Sequence, residues 1–181
     1  VLTKDAAGDC SVTATMAGDD NYNAVSSSAT TVTFARVAIT VTADAKSKQY
    51  GATDPALTHV ITSGSLVIGD SLTGSLDRVG GESVNTYAIG QGTLANSNYT
   101  ITYVGADLTI TQRPITVTAT ATTKQYGATD PTFEYSVTTG SLVDQDALTG
   151  SLSRTSGSNV GSYTLTIGTL ANANYAITFV P

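Results

Sequence analysis

The stretch KQYGATDP at Lys48–Pro55 decides the architecture, because the same eight residues return at Lys124–Pro131. The distance between the two copies, 76 residues, then holds without a gap to the end of the sequence. Further pieces that match at this distance are GSL, LTGSL, GTLAN and, upstream, ITVTA. Because an internal repeat of this length marks one structural unit per copy, the sequence predicts two similar domains in series.

The domain boundaries follow from the repeat. We predict that residues 37–112 form the first repeat and residues 113–181 the second, both within the size range of small domains. The second repeat has no counterpart of GADLTITQ (Gly105–Gln112) and is therefore expected to lack its last strand, as a window from a longer array would. Residues 1–36 do not repeat the pattern, and we predict that they are the C-terminal part of a preceding β domain.

Composition and alternation both predict an all-β fold. The chain of 181 residues contains 33 threonines and 18 serines, but only 12 % of its residues are charged. Thr favours strands because its β-branched side chain fits a pleated surface, and its hydroxyl tolerates water. Apolar residues alternate with Thr in Ile39–Thr42, Leu108–Thr111 and Ile115–Thr118, which predicts strands with one buried face. A short helix is predicted only at Leu66–Leu72.

Charge and hydropathy exclude two classes of partner. The chain carries 14 acidic and 8 basic side chains, a formal net charge of −6. Nucleic acid and anionic membranes bind basic surfaces, so we expect neither as a partner. No apolar run approaches the roughly 18 residues that a transmembrane helix needs, so membrane insertion is not expected.

The scarcity of reactive side chains argues against an enzyme. One Cys and one His are too few for a zinc cage or for a nucleophile with its base, since such sites usually draw on several of these residues. We therefore expect no catalytic residue and no resident cofactor. Cys10 is expected to be a small buried side chain rather than a reactive thiol.

A set of residues recurs at the same places in both repeats, which predicts structural roles. The tyrosines are expected to close the small core while their hydroxyls reach the backbone or water, and the Asp-Pro pairs are expected to bend the chain. A stacking platform for sugars is the alternative interpretation of the same rings. The repeated positions are Tyr50, Gly51, Asp54, Pro55, Tyr87, Asn98 and Tyr99 in the first repeat, and Tyr126, Gly127, Asp130, Pro131, Tyr163, Asn174 and Tyr175 in the second.

The link between the repeats is short. The sequence DLTITQRPITVTA runs from the last predicted strand of the first repeat into the first strand of the second. It contains Pro114 but no spacer rich in Gly, Ser or charge, so we expect little swivel between neighbouring domains. Domains joined in this way are expected to form a rod.

Calcium is the metal to consider, because carboxylates are its preferred ligands. Asp144 and Asp146 form a D-x-D, and Asp107 lies near the link. A D-x-D without the other ligands of a calcium loop is a weak signal, and solvated turn carboxylates explain the same residues.

Taken together, these motifs resemble a known family. KQYGATDP, GDSLTGSL and GTLANSNYTITYVGADLTI are similar to the MBG domain of bacterial surface proteins, in the type marked by YG near its start. The resemblance covers residues 37–181. GDCSVTATMAGDDNYNAV, within residues 1–36, is similar to the end of a bacterial immunoglobulin-like repeat. The resemblance implies β-grasp-like or sandwich-like units arranged end to end in a large extracellular adhesin, at the bacterial cell surface or secreted, with no catalytic residues.

The resemblance and the short link predict a structural stalk or fibre segment that projects a distal binding region. Two alternatives stay open: a weak, multivalent glycan- or mucin-binding module, and a spacer of a secreted hydrolase. Neighbouring repeats are the expected partners, with host or matrix glycan as a further candidate. If the polypeptide ends at Pro181, the edge left by the missing strand is expected to permit strand-donation self-assembly. For surface domains under tension a lysine-to-asparagine isopeptide bond is another candidate; the recurring pairs are Lys48 with Asn98 and Lys124 with Asn174.

Overall fold

The structure, a computed structural model, describes residues 6–181. All regular secondary structure among these residues is β-strand. The predicted all-β class is confirmed. The helix predicted at Leu66–Leu72 is wrong, because Val67–Asp70 instead forms one turn closed by a backbone hydrogen bond of 2.9 Å. The strands are β1 (Gly8–Val12), β2 (Thr15–Met16), β3 (Val25–Ser26), β4 (Thr30–Phe34), β5 (Val37–Ala43), β6 (Lys46–Gln49), β7 (His59–Ser63), β8 (Asp77–Arg78), β9 (Asn85–Gly90), β10 (Tyr99–Val104), β11 (Ala106–Thr111), β12 (Arg113–Ala119), β13 (Tyr135–Thr139), β14 (Ser153–Arg154), β15 (Leu165–Thr166) and β16 (Tyr175–Val180).

The described chain divides into two compact units that cut across the sequence repeats. The first unit contains the described residues up to Ala45, together with two further segments. The second contains the whole second repeat and three segments that the sequence assigns to the first repeat, which include β6, part of β9 and most of β11. The repeat boundaries drawn at residues 36 and 112 describe the sequence pattern and stay predictions. The further segments of the first unit are Ala56–Val79 and Ala88–Asp107, and the second unit comprises Lys46–Pro55, Gly80–Tyr87 and Leu108–Pro181.

The first unit is built on a three-stranded sheet in the order β10-β5-β7. β10 runs parallel to β5, with Tyr99 opposite Val37, and β7 runs antiparallel to β5. Ile39 and Val41 of β5 are buried, whereas Thr40 is half-buried. The alternation of apolar residues with Thr thus separates an inner from an outer face, as predicted.

The segment before the first repeat forms two antiparallel strand pairs, β1 with β4 and β2 with β3. Most of its described side chains are exposed. Cys10, expected to be buried, is half-buried and free. The reason is that Cys10 lies on the two-stranded ribbon of β1 and β4, which offers a side chain little cover.

The second unit repeats the same arrangement in the sheet β13-β12-β16. β12 runs parallel to β16, with Arg113 opposite Tyr175, and antiparallel to β13. The register shifts at equivalent places in the two sheets, after Thr40 in β5 and after Thr116 in β12. The sequence repeat is therefore also a repeat of strand register. The core of the second repeat consists of Ile115, Val117, Leu152, Leu170 and Tyr175.

One sheet differs between the repeats. In the first repeat, β11 takes part in a four-stranded sheet of order β6-β11-β9-β8 and pairs in parallel with β6. In the second repeat the corresponding region of the described chain contains the two-stranded pair of β14 and β15. Residues 122–125, the counterparts of β6, have irregular backbone. Within residues 6–181 there is no helix long and apolar enough to span a bilayer.

Candidate functional site at the junction of the repeats

The YG pair of the repeated motif lies in a tight turn, which we call the YG turn. In the first repeat it spans Gln49–Ala52 and is closed by a backbone hydrogen bond of 3.0 Å from its last residue to its first. The equivalent turn, Gln125–Ala128, is closed by a bond of 3.1 Å. Gly51 and Gly127 adopt φ values of 77° and 81°, in the left-handed region that favours glycine. The motif therefore encodes the same turn twice.

An ion pair within the motif braces the first YG turn. Lys48 Nζ lies 2.6 Å from the Asp54 carboxylate and 2.5 Å from that of Glu82, and the lysine side chain is only 4 % exposed. Burial alone would lower the pKa of Lys48, but the hydrogen bonds and charges of Asp54 and Glu82 outweigh it and raise that pKa above its ordinary value. The buried lysine is therefore charged and paired.

The second YG turn has a related but more open brace. Lys124 Nζ lies 2.5 Å from Asp130 Oδ1, and Arg154 Nε donates to Asp130 Oδ2 over 2.8 Å. Arg154 first, and then Lys124, lower the pKa of the Asp130 carboxyl below its ordinary value. The Lys124 side chain is 34 % exposed, so this brace is closer to solvent than the one at Lys48.

Tyr50, from the first YG turn, packs on the core of the second repeat. Its ring meets the ring of Tyr175 edge to face, with centroids 5.5 Å apart and planes inclined by 77°. A hydrogen bond to the Asp146 carboxylate, followed by burial, raises the pKa of the Tyr50 hydroxyl above its ordinary value. Aromatic pairs of this geometry contribute about 0.5–1.5 kcal/mol beyond the area they bury, so the contact is a specific one.

The surface that receives Tyr50 is ordered by its own hydrogen bonds. Tyr175 donates its hydroxyl to Asp146 Oδ2 over 2.6 Å and accepts the backbone N–H of Val143 over 2.7 Å. We call Val143, Asp146, Asn174 and Tyr175 the socket. The equivalent residues of the first repeat are Val67, Asp70, Asn98 and Tyr99, and their matching hydrogen bonds measure 2.7 and 2.8 Å.

Gly51 brings the first YG turn against the socket. A Cβ atom at this position would overlap Cγ2 of Val143, so only glycine allows the observed approach. At Gly127 a Cβ atom would meet no atom of the described residues within 4 Å. Glycine thus serves two purposes in the first repeat, the turn itself and the close contact, and the turn alone in the second.

A socket asparagine binds the backbone of the preceding module. Asn174 Oδ1 accepts the N–H of Val84 over 3.0 Å, and Asn98 Oδ1 accepts the N–H of Ala7 over 2.9 Å. The backbone carbonyl of each asparagine also accepts the first N–H of its own repeat, from Arg113 and from Val37 respectively. The same residue type therefore makes the same contact at two successive junctions.

Both copies of this arrangement coincide with a family match. The family described as MBG domain (YGX type) matches residues 39–109 and 115–181. The chain belongs to this family. MBG repeats are typical of bacterial surface proteins, so the chain is a surface-repeat protein of bacterial type. Comparisons with curated proteins and with solved structures returned no match.

The repeated tyrosines of the MBG domains lie in three environments. Tyr99 and Tyr175 are each 3 % exposed, and burial raises the pKa of both hydroxyls. Tyr87 and Tyr163 are half-buried. The Tyr87 hydroxyl donates to the backbone carbonyl of Ser83 and the Tyr163 hydroxyl to that of Asn159, each over 2.8 Å. Tyr126, the counterpart of Tyr50, is 75 % exposed.

The calcium candidates do not converge. Asp146 accepts the hydroxyl of Tyr175, Asp144 adopts a φ of 44° in the adjoining turn, and Asp107 is exposed on β11. No group of three or more His, Cys, Asp or Glu side chains that could hold a metal occurs among residues 6–181.

The lysines and asparagines considered for an isopeptide bond have separate partners. In the second repeat, Lys124 Nζ contacts Asp130 and the carbonyl of Ala128, whereas Asn174 Oδ1 accepts the N–H of Val84. The lysine braces the turn and the asparagine belongs to the socket.

Two elements of the junction were not predicted from the sequence. The ion pair between the lysine and the aspartate of KQYGATDP was missed, although both residues recur together. Asp146 was considered as a weak calcium candidate or a solvated turn carboxylate, and its hydrogen bond from the Tyr175 hydroxyl was not foreseen. The signal was present, because Asp70 and Asp146 stand 76 residues apart, as do Tyr99 and Tyr175.

Proposed function

We propose that this chain is a stalk segment of an extracellular bacterial adhesin, in which each MBG repeat is fixed to the next by its YG turn. The observation that carries the proposal is the seating of Tyr50 and Gly51 on the socket of the following repeat. The task of such a segment is mechanical: it projects a distal binding region, and the chain itself performs no catalysis.

Each repeat carries both halves of the contact. The second repeat has its own YG turn at Gln125–Ala128, and the first has its own hydrogen-bonded socket around Tyr99 and Asp70. A contact made by two different surfaces of one module is heterologous, and heterologous contacts that do not close into a ring produce open arrays. The pattern therefore supports growth by addition of further repeats.

The joint is held by more than the ring contact. Gln112, the residue between β11 and β12, donates its side-chain N–H to the carbonyl of Ala173 over 3.1 Å. Val84 adds the backbone hydrogen bond to Asn174. Hydrogen bonds across a short link restrict its bending, which favours a stiff connector over a flexible one.

Small-angle X-ray scattering of the 181-residue chain tests the proposal. A single compact domain of this length would have a radius of gyration of about 16 Å. We expect an elongated particle with a clearly larger radius. The Tyr50→Ala variant should broaden the distribution of distances, whereas Tyr126→Ala, at the equivalent exposed position, should not. A compact profile for the wild-type chain would overturn the stalk proposal.

A further inference from the structure

The pair of Tyr50 and Tyr175 brings two oxidisable rings into contact. Their centroids lie 5.5 Å apart, Tyr175 is 3 % exposed, and Tyr50 is half-buried. Phenols couple through the ring carbons beside the oxygen once each ring has lost one electron and one proton. Because the fold holds these two rings against each other, the coupling partner of each radical is already in place.

A carboxylate beside the pair can take the phenolic proton. The Tyr175 hydroxyl donates to Asp146 Oδ2 over 2.6 Å. A hydrogen bond to the same carboxylate is the main cause of the raised pKa of the Tyr50 hydroxyl. A phenol that has lost an electron is a strong acid, so a base at hydrogen-bond distance lowers the barrier to its oxidation. Asp146 is therefore placed to accept the proton of either ring.

The first repeat contains the same tyrosine and carboxylate without the second ring. Tyr99 is also 3 % exposed, and its hydroxyl donates to Asp70 over 2.7 Å. Among the residues that the structure describes, no aromatic ring is paired with that of Tyr99. Tyr99 is therefore an internal reference, a tyrosine of equal burial with a carboxylate but no coupling partner.

We propose that Tyr50 and Tyr175 form an oxidative cross-linking site, at which a one-electron oxidant derived from a peroxide converts the pair to dityrosine. Each ring gives one electron to the oxidant, and the two phenolic protons leave through Asp146 to solvent. The radicals join by one C–C bond between the carbons ortho to the oxygens, and the hydrogen on each of these carbons moves to the oxygen of its ring. Hydrogen peroxide takes up the two electrons and two protons and becomes two molecules of water.

The product is a covalent bond between residues of successive repeats. The chain contains no Trp, one Cys and one Met, so few other side chains compete for the oxidant. This inference stands on the ring pair and its carboxylate, and it does not depend on the stalk function.

The test is photo-oxidation of the dilute 181-residue chain with a ruthenium tris-bipyridyl complex and persulfate, a small peroxide that needs no protein catalyst. Trypsin releases Tyr50 in the peptide Gln49–Arg78 and Tyr175 in Thr155–Pro181. In the monomer fraction we expect these two peptides linked, with a mass about 2 Da below their sum. The link should form at least about tenfold more often than any link that contains Tyr99. The inference is overturned if the oxidised monomer lacks this link, or if the chain unfolded in urea forms it equally well.

Three single substitutions assign the link to its residues. Tyr50→Phe should abolish it, whereas Tyr163→Phe, which changes the other tyrosine of Thr155–Pro181, should leave its yield unchanged. Asp146→Asn keeps an acceptor oxygen beside Tyr175 but takes up a proton far less readily, so the link should form at least about tenfold more slowly. A link that persists in Tyr50→Phe, or that Tyr163→Phe removes, would place the coupling elsewhere. An unchanged rate in Asp146→Asn would contradict the role of the carboxylate.

Discussion

Tyr50 of the first repeat meets Tyr175 of the second edge to face, with ring centroids 5.5 Å apart. The two residues are far apart in sequence, yet both are fixed by motifs that recur in each repeat. Tyr175 is held by Asp146 and Val143, and Tyr50 is presented by a turn that Lys48 and Asp54 brace. The contact therefore joins two parts that each repeat builds separately.

Removing the ring of Tyr50 should destabilise the junction. Tyr50→Ala loses the edge-to-face contact and part of the buried area, which together amount to about 1–2 kcal/mol. The expected result is a fall in Tm of roughly 2–8 °C for a chain of this length, measured by calorimetry. Tyr126→Ala is the matched control, because its ring is 75 % exposed, and its Tm should stay near the wild-type value. Equal losses in the two variants would show that the Tyr175 contact is not the cause.

Alanine in place of the glycine of each YG turn should separate the cost of backbone strain from the cost of the steric contact with Val143. Gly51→Ala and Gly127→Ala both place an alanine at positive φ, at a cost of about 1–2 kcal/mol each. Only Gly51→Ala also meets Val143, which should add about 1–3 kcal/mol of overpacking. Urea denaturation of both variants measures the difference. Combining Gly51→Ala with Val143→Ala should remove most of it, and a difference that persists would contradict the assigned contact.

Alkaline pH should weaken the junction through Tyr50. Its pKa is raised in the folded chain, first by the hydrogen bond to Asp146, so the unfolded chain loses this proton at lower pH than the folded chain. The stabilisation is complete below the ordinary pKa of about 10 and is lost as pH rises through the folded-state pKa. Tm measured across this range should fall less steeply in Tyr50→Phe than in the wild-type chain. If the Tm of Tyr50→Phe falls as steeply with pH as that of the wild-type chain, the Tyr50 hydroxyl is not the group responsible. Tyr126→Phe is the control, and its Tm should follow the wild-type profile.

Chelation should leave the second repeat unaffected. The Asp146 carboxylate accepts the Tyr175 hydroxyl, and Asp144 and Asp107 do not join it in a cluster among the described residues. We expect the same Tm in excess EDTA and in millimolar calcium. A rise in Tm with calcium that Asp146→Asn abolishes would restore the metal interpretation.

The strands could be predicted from the sequence because alternation reports which face of a strand is buried. Ile115 and Val117 are buried, while Thr116 and Thr118 between and beside them are half-buried, as their period of two indicates. The helix prediction at Leu66–Leu72 was wrong because apolar residues near a Gly fit a turn as well as a short helix. In the structure a single backbone bond, from Asp70 to Val67, closes one turn, and no helix follows it in this segment.

The junction could be predicted only in part. The sequence indicated that Tyr50 and Gly51 matter, since they recur as a pair, but a pattern with a fixed period does not say which distant residue a side chain meets. The partner of Tyr50 lies in the next repeat, and Lys48 pairs both with Asp54 of its own motif and with Glu82 outside it. Asp146 had two interpretations, a calcium ligand and a solvated turn carboxylate, and neither included the Tyr175 hydroxyl, because a carboxylate accepts any donor that the fold places beside it.

The YG turn keeps its shape in two different surroundings. Gly51, pressed against Val143, has a φ of 77°, and Gly127, which has open space beside it among the described residues, has a φ of 81°. No rearrangement is therefore needed before a neighbour arrives. At the level of the gene, duplicating or deleting one whole module of the proposed stalk would leave every remaining joint intact, so its reach could evolve through copy number alone.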